Sequence, residues 1–214
     1  MTIYELIDFT RKLYLDDTVE PYLWSDETLL QLAIQAQREA CERADLIIDK
    51  DNHNFVTVAG QSDYTMSSNI IRIIKMSVVN DNSYKELERV YFAKTNYYTT
   101  KGTPYEYFYT DSNTIRLFPV PDKEYPISVV ASVYPKTTEL EIPEQFHEYL
   151  AYYIAGNALL SADLDASDPS RANEFLALFD AKFGPRKDTR ALIREKLSAS
   201  RETVMVNSRN FGFP

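Results

Sequence analysis

The residues that could do chemistry in this chain are few and scattered. His53 and His147 lie far apart, and Cys41 is the single cysteine. His147 opens an acid-led helical stretch, where a capping or surface role is expected of it rather than catalysis. Cys41 falls on a stripe of small residues and reads as a core residue, since a free thiol packs as a small hydrophobe. No recognisable nucleophile setting surrounds it. In DLDASDPSRANE, Asp163, Asp165, Ser167 and Glu174 occupy positions one, three, five and twelve of a calcium loop. Position six is Asp168 instead of the glycine that the sharp turn needs, and Pro169 follows, so a loop ending in an Asp N-cap explains the same residues. Lys101-Gly102-Thr103-Pro104 lacks the spacing and the Lys-Ser/Thr ending of a phosphate loop and reads as a turn. Tyr105, Tyr107 and Tyr109 alternate along one strand. They form either a row for a carbohydrate or protein ligand or a sheet face packed on its neighbours, and packing is favoured.

The elements that position these groups follow from periodicity. Residues 3–14 carry Ile3, Leu6, Ile7 and Leu13 near helical spacing. The stretch after Trp24 predicts a long helix. Ser25 is its N-cap, Asp26 and Glu27 sit in its first turn, and Trp24 and Leu29 have the spacing of a hydrophobic staple. Leu29, Ala33, Ala36, Ala40, Ala44 and Ile47 run along one face, small enough for another helix to approach closely. From about Asp51 alternation and turn clusters predict strands, the clearest being the Tyr105–Tyr109 and Ile115–Phe118 pair joined through Asp111-Ser112-Asn113. A sandwich or small barrel is the natural arrangement. Helices return at Ile142-Pro143-Glu144, with proline expected at the first helical position and Phe146, Leu150, Tyr153, Ile154 and Ala158 on one face. They return again at Asp168-Pro169, with Phe175, Leu178, Phe179 and Phe183 as the stripe before Gly184-Pro185. A last short helix is expected over 188–197.

The expected fold class is therefore α+β: N-terminal helices (1–50), an antiparallel β domain (51–140), C-terminal helices (141–198) and an extended arm (199–214). The two helical sets are expected to form one bundle, because neither alone can hide its apolar face.

The 214-residue chain has a net charge of −9. An acidic surface disfavours wrapping nucleic acid, yet it suits letting DNA pass without sticking. The balance is uneven, because Arg186, Lys187, Arg190, Arg194, Lys196, Arg201 and Arg209 face only Asp188, Glu195 and Glu202 after Pro185. A lone cysteine is consistent with a reducing compartment, and neither a signal pattern nor a membrane-length apolar run is present, so a soluble protein is expected. The segment RETVMVNSRNFGFP has neither helical period nor a partner strand, and it is too apolar for a solvated end.

Taken together, LWSDETLLQLAIQAQREACERAD, KGTPYEYFY, IRLFPVPDKEYPISVVASVYP, IPEQFHEYLAYYIAGNAL and RANEFLALFDAKF, in that order, resemble the head-to-tail adaptor (connector) proteins of tailed bacteriophages. The resemblance runs from about Leu23 to Phe183. It implies a structural virion protein without catalysis or cofactor, made in the host cytoplasm and placed in the neck between capsid portal and tail. It also implies a ring, expected to be a dodecamer, that docks on the portal protein, extends the DNA channel and offers a surface to a tail or nozzle protein. No specific binding of the DNA in the lumen and no membrane partner are implied. Such adaptors commonly send a C-terminal arm to the portal, which assigns Arg201, Val204, Met205, Val206, Arg209, Phe211 and Phe213 as the expected portal-binding residues. Two other functions stay open on the residues alone. One is a binding module using the tyrosine face, and the other is a metal enzyme using the Asp163–Glu174 carboxylates.

Overall fold

The computed structural model describes residues 1–80, 83–90, 100–161 and 167–186. It is an α+β molecule whose helical region is built from both ends of that span and whose sheet region is continuous in sequence.

Helix α1 (Ile3–Thr10) starts with a capping box that sequence reading passed over. Thr2 Oγ1 accepts from the Glu5 N–H at 3.2 Å, and the Glu5 carboxylate accepts from the Thr2 N–H at 2.8 Å. The helix widens into a π-helical turn, Arg11–Leu15, which ends at Asp16 in the left-handed region (φ 52°). Helix α2 (Asp26–Ala44) begins as expected, with Ser25 Oγ accepting from the Thr28 N–H at 3.1 Å and Trp24 and Leu29 both buried. Its buried face is Leu29, Ala33, Ala36, Gln37, Ala40 and Cys41. Ala44, expected on the stripe, is exposed, because the helix stops there and Asp45 turns the chain with φ 51°.

Gln37 is fully buried on the stripe, a position where sequence alone suggests an apolar residue. Its amide donates to Glu139 O at 3.0 Å and accepts from Glu141 N at 2.6 Å and Ile142 N at 3.2 Å, so it pins the chain where it returns from the sheets. Buried polar groups are tolerated when satisfied in this way.

Eleven strands are described: β1 (Ile48–Asp49), β2 (Phe55–Val56), β3 (Asp63–Thr65), β4 (Ile70–Asn80), β5 (Ser83–Glu86), β6 (Glu88–Arg89), β7 (Lys101–Gly102), β8 (Glu106–Tyr109), β9 (Thr114–Phe118), β10 (Val120–Pro121) and β11 (Pro126–Val133). One sheet runs β1-β11-β4-β5 with β2 also on β11; a second runs β3-β9-β8-β6; β7 and β10 form a short parallel pair. The hairpin β8–β9 forms as expected, Tyr107 opposite Leu117 and Tyr109 opposite Ile115, and Asp111 accepts from the N–H groups of Asn113 and Thr114 in its turn. The pairing is not wholly antiparallel, since β6 lies parallel to β8. The shared core takes Ile73, Met76, Val78, Ile127, Val129 and Ala131 from the first sheet and Tyr64, Tyr107, Tyr109, Ile115 and Leu117 from the second.

A 3-10 turn, Glu144–Phe146, leads into α3 (His147–Ser161), and Pro143 is the N-cap of that turn rather than its first helical residue. Helix α4 (Pro169–Phe183) starts with Asp168 accepting from the Arg171 N–H at 3.1 Å and Pro169 at its first position, the capping alternative to a calcium loop. Phe179 and Phe183 are buried, whereas Leu178, expected on the same stripe, is exposed. Leu150, Ile154 and Ala158 of α3 share one core with α1, α2 and α4. The two regions meet along the C-terminal half of α2: Asp45 pairs with Arg72 of β4, Glu42 accepts from the Tyr134 hydroxyl at 2.8 Å, and Ile71 reaches into the helical core.

Candidate functional site

No catalytic constellation assembles from the candidate groups. Cys41 is fully buried, and burial, followed by the nearby carboxylates of Glu141 and Asp45, pushes its thiol up to about 12. A thiol held that high is inert as a nucleophile at neutral pH. His147 is buried, not on the surface as expected, and its Nε2 lies 2.8 Å from Ile142 O, tying the start of α3 to the incoming chain. His53 is half-buried, with Nε2 3.6 Å from Asp49. Asp163 and Asp165 lie outside the described residues; Ser167 and Glu174 are described, and Glu174 is exposed on α4. Among the described residues no group of three or more His, Cys, Asp or Glu gathers to hold a metal, and no helix is long and apolar enough to cross a membrane.

The tyrosine row packs against its neighbours, as the favoured reading expects. Tyr107 and Tyr109 are 3% and 5% exposed and face the shared core, and of the three only Tyr105 is exposed. Burial drives both hydroxyls above the ordinary tyrosine range. A ligand platform needs reachable rings, and these are core.

What the structure does build is a set of presented surfaces, and the two ends of α2 organise them. At its N-terminal end the segment 16–25 is strapped down by Arg11, which in sequence is only a charge on a helical face. The Arg11 side chain is 5% exposed. It pairs with Asp17, donates to Trp24 O at 2.6 Å and to Asp26 Oδ1 at 2.7 Å, and lies 4.2 Å from the centre of the Tyr22 ring. Asp17 in turn accepts from the N–H groups of Leu23 and Trp24, and the Trp24 indole N–H donates to Ala158 O at 3.0 Å. Arg11 opens the π-helical turn, one helical turn after the buried Ile7 and next to the buried Thr10. Held this way, the strap exposes Val19 (77%), Leu23 (59%) and Tyr22 (41%), beside Leu13 (58%) on the preceding turn.

At the other end of α2 the chain leaves the described structure. Arg43 donates to Asp180 Oδ1 at 2.5 Å and to Gly184 O at 2.9 Å, and Arg186 pairs with Glu39 at 3.2 Å. Gly184 has φ 90°, a value that strains any side chain, so the glycine permits the turn off α4. The expected portal-binding residues Arg201, Val204, Met205, Val206, Arg209, Phe211 and Phe213 all lie outside the described residues.

Comparison with known proteins agrees with a role in assembly. No curated protein matches the sequence. The family model described as SU10 adaptor protein matches residues 1–202, which takes in all of the helices and strands above and stops before Val204. The chain belongs to the SU10 adaptor protein family, a family of phage head-to-tail adaptors.

Proposed function

We propose that this protein is a structural component of the virion neck that docks on the portal, extends the DNA channel and presents an attachment surface to a tail or nozzle protein. The helical region acts as a bundle built from both parts of the chain, the two sheets form an inserted β domain, and residues 199–214 form an extended arm. Copies close into a ring, with a dodecamer expected. The observation that carries this reading is the family match across 202 of the 214 residues.

The physical features agree with it. The groups that could react are buried or far apart, while apolar side chains are held at the surface by a buried ion pair. A net charge of −9 per copy, repeated around a ring, gives a lumen along which DNA slides without binding. In the arm, Val204, Met205, Val206, Phe211 and Phe213 act as apolar anchors and Arg201 and Arg209 as cationic ones. An anchor set of this kind orders on a partner. Each arm contributes a modest interface, and ring closure makes release of one arm unproductive.

Deleting residues 201–214 tests the assignment. The expected product folds with an unchanged thermal midpoint and no longer sediments with portal rings. A truncated chain that still attaches to portal and completes heads overturns it.

A further inference from the structure

The strap at the start of α2 has a charge character of its own. Between Lys12 and Arg38 the sequence carries Asp16, Asp17, Glu20, Asp26 and Glu27 and no Lys or Arg. Asp17 is buried against Arg11, which leaves Asp16, Glu20, Asp26 and Glu27 at the surface around Val19, Tyr22 and Leu23. The exposed apolar residues of the strap are thus flanked in sequence by carboxylates alone. The complementary composition occurs once the chain leaves α4. From Arg186 to Arg201 there are six basic residues (Arg186, Lys187, Arg190, Arg194, Lys196, Arg201) against Asp188 and Glu195, interleaved with Ala191, Leu192, Ile193 and Leu197.

Geometry decides whose strap that segment meets. The chain departs beside Glu39 and Arg43, near the C-terminal end of α2, whereas the strap sits at its N-terminal end. From Ser25 to Arg43 the helix rises about 27 Å. The point where the chain departs and the strap therefore lie at opposite ends of α2. A contact between opposite ends of successive copies is heterologous, the kind that generates rings when the rotation closes.

We propose that the strap Asp16–Glu27 is the receiving surface for the basic segment 187–201 of a neighbouring copy of this chain. Val19 and Leu23 cover the apolar residues of the incoming segment, and Asp16, Glu20 and Glu27 face its Arg and Lys. The proposal rests on the ring-forming reading above, but it concerns contacts between copies and not the arm beyond Arg201.

Two full-length single-cysteine additions test it, Leu23→Cys and Leu192→Cys, each mixed with the other under a copper–phenanthroline oxidant, with and without portal. The native Cys41 is buried and unreactive, so it stays in place. A disulfide-linked dimer is expected from the mixture and not from either variant alone. Adding Glu20→Lys and Glu27→Lys to the Leu23→Cys chain should cut its yield about tenfold. Placing Arg190→Glu and Arg194→Glu on the partner chain should restore it. About 0.5 M salt should weaken the native pairing through screening. No mixed dimer under any condition overturns the proposal. So does a monomeric cross-link in the doubly substituted chain without mixed dimer, which would place the segment on its own subunit. Mixed dimers that form normally while portal co-sedimentation fails would instead count against portal docking and leave the contact between copies standing.

Discussion

The helical and sheet regions reach stability by opposite routes. The sheets pack large side chains across one core: Tyr107, Tyr109, Ile115 and Leu117 against Met76, Val78, Ile127 and Val129. The buried polar residues of the sheet region, Thr57, Ser77 and Ser132, are small hydroxyls. The helices meet through small residues, Ala33, Ala36, Ala40, Ala151, Ala155 and Ala158, and through buried polar pins, Arg11 and Gln37. The sheet strands lie within one stretch of sequence, from Ile48 to Val133. The helices come from either side of it and must find each other across the intervening chain. Polar pins suit the second task, because an unsatisfied buried charge or amide penalises every misdocked arrangement. Apolar volume suits the first.

The largest expected break in this contrast is Arg11→Ala. It leaves Asp17 buried without its counter-ion, and removing one partner of a buried pair costs about 3–5 kcal/mol. Urea denaturation should show that loss together with release of the strap, read as a gain in Trp24 exposure. Replacing both partners, Arg11→Met with Asp17→Leu, should recover most of the stability, since an apolar pair of similar volume needs no counter-ion. A double variant as unstable as Arg11→Ala would show that the strap depends on the backbone hydrogen bonds made by Arg11 and Asp17 and not on their pairing.

Next comes Gly156→Ala on α3. In an exposed helix this change stabilises by about 1 kcal/mol. Here the added Cβ would sit 2.8 Å from Leu176 Cγ and 3.1 Å from the Ala172 carbonyl oxygen of α4. Leu176 can swing, but a helix carbonyl cannot, and overpacking costs about 1–3 kcal/mol. A net loss of about 1–2 kcal/mol is expected in thermal or urea midpoints. A stabilised variant would mean that α3 and α4 can separate without penalty. The counterpart in the sheets is Ile115→Val, which deletes one methyl group from a filled core and should cost about 1 kcal/mol.

Much of this organisation was legible in the sequence, and the reasons differ by element. Ser25, Asp26 and Trp24 announced the start of α2, because capping chemistry is local and needs no tertiary context. The β8–β9 hairpin was readable for the same reason, through Asp111 and the alternation on either side. The polar pins were not. Gln37 on an otherwise small and apolar stripe looks like a solvent-facing residue until the returning chain at 139–142 supplies its partners. Arg11 looks like an ordinary helical cation until the strap supplies the carbonyl and carboxylates that satisfy it. His147 misled in the same direction, its partner being a carbonyl five residues upstream in a turn. The alternating tyrosines gave the right strand, but alternation cannot tell a face turned to solvent from one covered by a second sheet. Of the candidate site, the basic and apolar character of the chain beyond Pro185 was visible, whereas the acidic strap was read only as a helix start.

The smallest expected effect comes from the sheet region's own ion pair and sharpens the contrast with Arg11–Asp17. Asp63 on β3 and Arg116 on β9 are register partners, with Nε to Oδ1 at 2.5 Å and Nη2 to Oδ2 at 2.7 Å, so the pair is bidentate. The Arg116 hydrogen bond holds the Asp63 carboxyl below its ordinary 3.8. A depressed folded value means that the pair stabilises fully above pH 3.8 and that this contribution fades as the pH falls through the folded value. Its side chains are 31% and 43% exposed, against 5% and 7% for Arg11 and Asp17, so solvent screens most of the attraction. Asp63→Asn should therefore cost less than about 1 kcal/mol near neutral pH. The gap between variant and wild type in urea midpoints should close as the pH drops below 3.8, and added salt should narrow it at any pH. A loss near pH 6 as large as that of Arg11→Ala would show that exposure does not govern the strength of these two pairs, and the division between polar pins in the helices and apolar volume in the sheets would fail.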